Sequence, residues 1–156
     1  MGDGLIGIGE KMTESRAKPQ LAAAFLCERI IQEKDDVVSI IRIVDTFTIQ
    51  KPPADLPAPI TPAIALTMMI SFKAFEAKGE YTLKLILRDA SGKPLVSAAQ
   101  VDPSFQVKFT GERREDGVNV FANFQLPVNA LGSFYFDVLV DGEAVTRVPF
   151  LLRQSE

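Results

Sequence analysis

Apolar and polar residues alternate with a period of two along most of this sequence. One apolar row occupies every second position of residues 64–72, and another does so over residues 81–87. Side chains two positions apart share one face of a β-strand, so these rows predict strands with one buried face. No stretch of helical length carries a convincing apolar stripe at i, i+3 and i+4. Further period-two rows follow at residues 105–109, 118–126, 134–140 and 148–152.

Short polar segments separate the apolar rows and predict turns. Asp141-Gly142 is a strong hairpin signal, because a type I′ turn needs a positive φ at both of its central residues. Residues 51–62 contain five prolines, which lack the amide donor of a sheet ladder, so we expect an extended crossover between sheets. Strands and turns repeated in this way favour an all-β fold, an antiparallel β-sandwich of immunoglobulin-like or C2-like type with about eight or nine strands.

The first two predicted strands, residues 22–31 and 37–49, form a hairpin around a polar turn. The second run is apolar on both faces, which predicts either a central strand covered on both sides or a strand with a bulge. Isolated burial of a charge is costly, so charges in this hairpin must pair or face solvent. We expect an ion-pair ladder on one sheet face, with a functional polar patch as the alternative. The charged residues concerned are Glu28, Arg29, Arg42 and Asp45.

Length and composition fit one globular domain. The chain has 156 residues, of which 47% are hydrophobic and 24% are charged, enough apolar side chains for a single core. Residues 1–19, first glycine-rich and then polar, are expected to form a flexible N-terminal arm, followed by a single β-sandwich domain over residues 20–154. The start does not resemble a secretory signal, and no apolar run approaches the roughly 20 residues of a membrane-spanning helix. We therefore predict a cytoplasmic protein with no membrane association.

The inventory of reactive residues argues against catalysis. There is no histidine, which removes Ser-His-Asp, Cys-His and His-zinc chemistry. The single cysteine, Cys27, excludes an intramolecular disulfide and is expected to be a small buried apolar residue. A net charge of -3 provides no field for attracting nucleic acid. We predict that the protein is not an enzyme, has no catalytic residue, and binds no cofactor, metal or nucleic acid.

Several weaker motifs have ordinary structural explanations. Residues 2–7 match G-x-G-x-x-G, but no strand precedes them, as a dinucleotide loop requires. Residues 59–62 match P-x-x-P, and a fixed crossover is the better interpretation. Phe121 and Tyr135 fall on outward registers, where either can mark a partner-binding patch. Aspartates in or near turns favour backbone capping, with loop-bound calcium as the alternative; they are Asp35, Asp36, Asp89, Asp102, Asp116 and Asp141.

Four segments carry a family resemblance. Residues 24–35 (AFLCERIIQEKD) and 39–45 (SIIRIVD) resemble the opening hairpin of a family of small uncharacterised bacterial β-sandwich proteins. Residues 79–85 (GEYTLKL) and 134–142 (FYFDVLVDG) are similar to its closing half. The resemblance covers most of residues 21–153. It implies a single domain and supplies no catalytic or cofactor-binding residues.

These observations together favour a non-enzymatic protein-interaction or structural module of the bacterial cytoplasm. Its expected partner is a protein, including a second copy of itself, bound through an exposed sheet face or edge strand. One alternative is a sandwich that binds calcium or a sugar through loops at one end. Another is a hydrolase that uses paired carboxylates from Glu28, Asp45 or the loop aspartates.

Overall fold

A computed structural model describes residues 16–35, 37–50, 63–95, 104–127 and 130–156 of the chain. The described residues form β-strands and no helix. The strands are β1 (Gln20–Gln32), β2 (Val38–Ile43), β3 (Thr46–Ile49), β4 (Ala63–Lys73), β5 (Gly79–Asp89), β6 (Ser104–Phe109), β7 (Gly117–Pro127), β8 (Gly132–Val140) and β9 (Glu143–Gln154).

The strands belong to two sheets. Sheet I has four strands in the order β2-β1-β4-β7, and sheet II has five strands in the order β3-β9-β8-β5-β6. Neighbouring strands are antiparallel, except that β3 runs parallel to β9. The predicted all-β fold is confirmed, and the described strands fall within the expected number.

Both sheets contribute one apolar face to a common core, as the period-two rows predict. Phe72 and Leu85 are 0% exposed, Phe136 is 1% exposed and Phe124 is 9% exposed. The Phe124 ring from sheet I stacks on the Phe136 ring from sheet II with centroids 5.1 Å apart, and Phe136 stacks on Phe150 at 5.6 Å. Burying one such side chain stabilises the fold by about 1.5–3 kcal/mol. The core is therefore the main source of stability and holds the strands in register.

The predicted hairpin turn at Asp141-Gly142 is present. Asp141 has a φ of 49° and Gly142 a φ of 83°, as a type I′ turn requires. Asp141 Oδ1 accepts a hydrogen bond of 2.8 Å from the Thr82 amide, and the Asp141 amide donates to the Thr82 carbonyl at 2.8 Å. The turn between β8 and β9 is thereby fixed against the neighbouring strand β5.

The prediction of one long, covered strand over residues 37–49 is wrong. The segment forms two strands, β2 in sheet I and β3 in sheet II, and both lie at sheet edges. Arg42 has a φ of 55°, a left-handed conformation that costs a non-glycine residue about 1–2 kcal/mol. Ile43 still pairs with Cys27 of β1, after which the chain passes to sheet II. Ile41 and Ile43 are exposed at 39% and 66%.

Residues 16–19, which the sequence assigns to the N-terminal arm, lie against β5 and the β8–β9 turn. The Arg16 guanidinium lies over the Tyr81 ring at 3.8 Å, and Tyr81 donates a hydrogen bond to the Ala17 carbonyl. Lys18 forms an ion pair with Glu143. The hydroxyl of Tyr81, whose ring is buried in the core, is satisfied by this segment.

Other sequence predictions fall outside the described residues. They are the glycine motif at residues 2–7, the proline-rich crossover and its P-x-x-P motif, most of the short strand expected at residues 95–99, and the turn aspartates Asp36 and Asp102. The strands on either side of the crossover, β3 and β4, do belong to different sheets.

Candidate functional site

Strand β1 is longer than its pairing with β4. The β1–β4 ladder ends where Cys27 lies opposite Thr67. Beyond that point β1 pairs with β2 alone among the described residues. Residues 28–35 and 37–43 are called the hairpin extension from here on.

The hairpin extension concentrates exposed apolar side chains. Three of the six large hydrophobic residues that the described structure exposes lie on it: Val37 at 54%, Ile41 at 39% and Ile43 at 66%. Single exposed apolar residues are ordinary, whereas a cluster of them marks an interaction surface. The extension is the part of the described surface where this clustering occurs.

Among the described strands, β2 has a neighbour on one side only, and its other side is called the open edge of sheet I. Val37 accepts a hydrogen bond of 2.7 Å from the Glu33 amide, and Ser39 and Ile41 lie opposite Ile31 and Arg29. In an antiparallel pair, alternate residues direct their N–H and C=O groups to the same neighbour. The odd-numbered residues therefore face β1. Val38 and Ile40 point their backbone groups toward the open edge of sheet I.

The other sheet edges carry features that discourage strand addition. Strand β3 has only 4 residues. Strand β6 exposes Ser104, Gln106 and Lys108, and β7 exposes Asn119, Asn123 and Gln125. Natural edge strands are blunted by shortness, polar or charged side chains and proline. Strand β2 has one charged residue, Arg42 at its end, and no proline, so its edge lacks these protections.

The four charged residues predicted as a ladder or polar patch lie at the base of the extension and do not form one ladder. Arg42 Nη1 lies 3.4 Å from Glu28 Oε2, and both side chains are largely exposed, at 76% and 56%. Asp45 Oδ1 accepts a hydrogen bond of 3.2 Å from the Thr46 hydroxyl. Arg29, one position from Glu28, points to the opposite face of the strand. An exposed pair such as Glu28–Arg42 contributes about 0–1 kcal/mol.

Two clefts flank the base of the extension. The larger has a volume of about 480 Å³, and its lining combines apolar side chains with Glu28, Arg42 and Asp45. The smaller, of about 260 Å³, includes Arg29 and Phe121. The charged residues named from the sequence thus surround the point where the extension leaves the body of sheet I. Phe121 is half-buried there, so one of the two outward aromatic residues lies at this base.

Cys27 lines the larger cleft but is only 3% exposed. Burial raises the pKa of its thiol, and a hydrogen bond with the Arg29 backbone acts in the opposite direction. A thiol with a raised pKa is protonated at neutral pH and is a poor nucleophile. Cys27 therefore acts as a packing residue, as expected from the sequence.

Two of the turn aspartates, Asp89 and Asp141, cap backbone amides, whereas the Asp116 carboxylate accepts hydrogen bonds from the Thr110 and Arg113 side chains. Asp89 Oδ1 accepts hydrogen bonds from the Ser91 hydroxyl at 2.6 Å, the Ser91 amide at 2.9 Å and the Lys93 amide at 3.0 Å. These bonds, that of the Ser91 hydroxyl foremost, hold the pKa of Asp89 below its ordinary value. Among the described residues, no group of three or more His, Cys, Asp or Glu side chains is placed to hold a metal ion.

Sequence reasoning missed a buried carboxylate on the outer face of sheet II. Asp137 is 7% exposed, and it is the only charged residue among the described residues that is buried. Its Oδ2 lies 2.6 Å from Arg88 Nε, and its Oδ1 lies 3.0 Å from Arg147 Nε. The Arg147 guanidinium also lies over the ring of Tyr135 at 4.6 Å. The outward aromatic Tyr135 is thus engaged by its own sheet, and this cluster holds β5, β8 and β9 together.

Comparisons with known proteins identify a sequence family but no function. The sequence model of the family of unknown function DUF6941 matches residues 22–153. No curated protein matches. Among solved structures, the chain is similar to Pseudomonas fluorescens alkylpurine DNA glycosylase AlkC bound to DNA containing an abasic site analogue, with a TM-score of 0.43 and 14% identity. That match covers 62% of this chain and only 28% of the glycosylase, and it carries no argument about function. No helix of the described residues is long and apolar enough to cross a membrane.

Proposed function

This chain belongs to DUF6941, a family of unknown function, and we propose that it is a non-enzymatic protein-interaction module that binds its partner through the hairpin extension. The observation that carries the proposal is the edge of β2, which combines open backbone groups with the exposed side chains of Val37, Ile41 and Ile43. An incoming strand that pairs with such an edge gains main-chain hydrogen bonds and covers apolar surface at the same time.

Covering the exposed side chains and pairing the edge of β2 both favour binding. Fully burying a Val or Ile side chain stabilises by about 1.5–3 kcal/mol. Covering the exposed portions of Val37, Ile41 and Ile43 therefore contributes about 2–5 kcal/mol in total. Each edge hydrogen bond adds about 1 kcal/mol. These gains must exceed the entropy lost on association, so the proposal predicts specific binding of moderate strength.

The position of the extension also favours this function. Its residues beyond Cys27 pair only with each other among the described strands, so a partner reaches β2 without displacing a strand of the described core. We also propose an immunoglobulin-like sandwich, because the five-stranded sheet and the parallel β3–β9 pair suit that architecture. The cytoplasmic location and the absence of enzymatic activity and of nucleic-acid binding stay predictions from the sequence.

The test is affinity capture from an extract of the native host with three baits besides the wild type. Ile41→Glu and Ile43→Glu place a carboxylate on the extension, and Leu131→Glu is the matched control, because Leu131 is 51% exposed and lies outside the extension. Far-UV circular dichroism and thermal unfolding establish that each variant is folded. We expect the same proteins to be lost with both extension variants and retained with the control. Identical sets of captured proteins for all four baits would contradict the proposal.

A further inference from the structure

We propose that the partner is a second copy of this chain and that two β2 edges pair antiparallel about a twofold axis at Ser39. This inference rests on the proposed function and names the occupant of its binding edge. The pairing joins two copies of sheet I into one continuous sheet. Its register follows from the backbone, the side chains and the charge of β2.

The backbone sets the register. Val38 and Ile40 direct their N–H and C=O groups to the open edge. Arg42, the next residue of the same parity, has a φ of 55° and is out of regular strand geometry. In the proposed register Val38 of each copy lies opposite Ile40 of the other copy. The twofold axis gives two such pairs, and each pair exchanges two backbone hydrogen bonds, so about four form in total. Neighbouring registers, which bring Arg42 or the turn into the ladder, form fewer.

The side chains in this register are complementary. Val37 lies opposite Ile41 of the second copy, and the twofold axis repeats the pair on the other side. Val37 and Ile41 are 54% and 39% exposed in the single chain, and directly opposed side chains in an antiparallel pair contact each other. Ser39 lies opposite its own counterpart. Apolar side chains therefore meet apolar ones, and the only polar side chain of the segment meets another.

The charge pattern permits self-association. Edge strands commonly carry charges that repel a second copy. The paired segment, residues 37–41 (VVSII), contains none. The β1–β2 turn, which carries the exposed Asp35, comes to lie beside the Arg42 end of the other copy. That turn also carries the exposed Lys34, so charges of both signs lie near each end of the paired segment.

The dimer is expected to be weak. Standard stable interfaces bury about 1,200–2,000 Å² in total, and a five-residue edge segment provides less. We expect dissociation constants on the order of 10–100 µM. Sedimentation velocity between about 1 µM and 1 mM, concentrations that bracket that range, measures it on the full chain. Wild type and Leu131→Glu are expected to shift from monomer to dimer, whereas Ile41→Glu stays monomeric at every concentration.

A cysteine cross-link tests the register itself. Ser39→Cys in a Cys27→Ala background places two cysteines opposite each other at a non-hydrogen-bonded pair, with Cα atoms about 4.5 Å apart, inside the range for a disulfide. Ile41→Cys in the same background is the matched control. Residue 41 lies opposite residue 37 of the second copy, so its two Cα atoms are about 13 Å apart. Mild oxidation is expected to cross-link the Ser39→Cys variant and not the Ile41→Cys variant.

The outcomes separate this inference from the function it rests on. Monomeric wild type at about 1 mM, far above the expected dissociation constant, overturns self-pairing, as does equal cross-linking of both cysteine variants. If the wild type is monomeric but captures other proteins through the extension, the proposed function stands and the second copy is not its partner. If it is monomeric and captures nothing that depends on the extension, both proposals are wrong.

Discussion

Replacing Asp137 with Asn tests the importance of the buried carboxylate. Asp137→Asn keeps the shape of the side chain and removes its charge. The two guanidinium contacts, at 2.6 Å to Arg88 and 3.0 Å to Arg147, then lose their ionic acceptor. Both arginines are left with a weaker neutral partner. We expect a less stable protein with an unchanged fold.

The size of the loss follows from how far each contact is exposed. A hydrogen bond to a charged group contributes about 1.5–3 kcal/mol. The Arg88 side chain is 25% exposed, so its bond keeps most of that value. The Arg147 side chain is 67% exposed, so its bond contributes only about 0.5–1 kcal/mol. Since Asn retains one oxygen acceptor, we expect a loss of about 2 kcal/mol, or about 4–8 °C in Tm for a chain of this size.

Urea unfolding followed by far-UV circular dichroism measures this loss, because the chain has no tryptophan to serve as a fluorescence probe. Glu115→Gln, an exposed position in the turn between β6 and β7, is the control and is expected to change the unfolding free energy by less than about 0.5 kcal/mol. Arg88→Met is expected to cost more than Arg147→Met, because Arg88 also donates to the Gly92 carbonyl at 3.0 Å. An Asp137→Asn protein as stable as the control, or the opposite order of the two arginine variants, would refute the reasoning.

Three further measurements probe other features. In urea unfolding Arg42→Gly is expected to be about 1–2 kcal/mol more stable than Arg42→Val, because glycine relieves the strain of the left-handed φ that arginine and valine both carry; equal stability of the two variants would contradict the strain. Burial raises the pKa of Asp141, but the Thr82 amide, Arg16 and Lys18 together hold it below its ordinary value of 3.8. Its stabilisation is therefore complete above pH 3.8 and lost as pH falls below it, so Asp141→Asn destabilises at about pH 6, and the difference from wild type must shrink at about pH 3. The buried thiol of Cys27 is expected to react with a thiol reagent only in urea, and rapid labelling of the native protein would show that it is accessible.

The parts of the fold that were predictable depend on local alternation. Rows such as those of β4, β5 and β8 specify both a strand and its buried face, because one face of each strand packs against a common core. The Asp141-Gly142 turn is equally local, since two residues set its backbone angles. These features need no knowledge of distant partners, and the structure confirms them.

The break between β2 and β3 depends on information that the apolar pattern lacks. Residues 37–49 read as continuous strand because β-branched residues dominate them, and a positive φ at an arginine has no sequence signal. Which sheet each half joins depends on β9, about a hundred residues later. The exposure of Ile41 and Ile43 followed from this break, so the candidate binding edge was hidden by the same apolar pattern that predicted the hairpin.

The cluster around Asp137 was missed for a related reason. Counting back from the Asp141-Gly142 turn places Asp137 opposite Thr146. A register shift between Val138 and Leu139 moves its partner to Arg147. Bulges of this kind insert one residue without a clear sequence mark. Arg88 comes from β5, which the local pattern of the hairpin cannot reveal.

The parallel pairing of β3 with β9 has a mechanical consequence. The chain enters β3 directly from the hairpin extension, and β9 lies close to the carboxyl end, with four residue pairs joining the two strands in register. Tension applied between the extension and the carboxyl end pulls these parallel strands lengthwise past each other. Their hydrogen bonds then resist the load together, as in shear, whereas a hairpin peeled from its ends breaks one bond after another. The proposed binding edge is therefore attached at a point where the domain resists stretching.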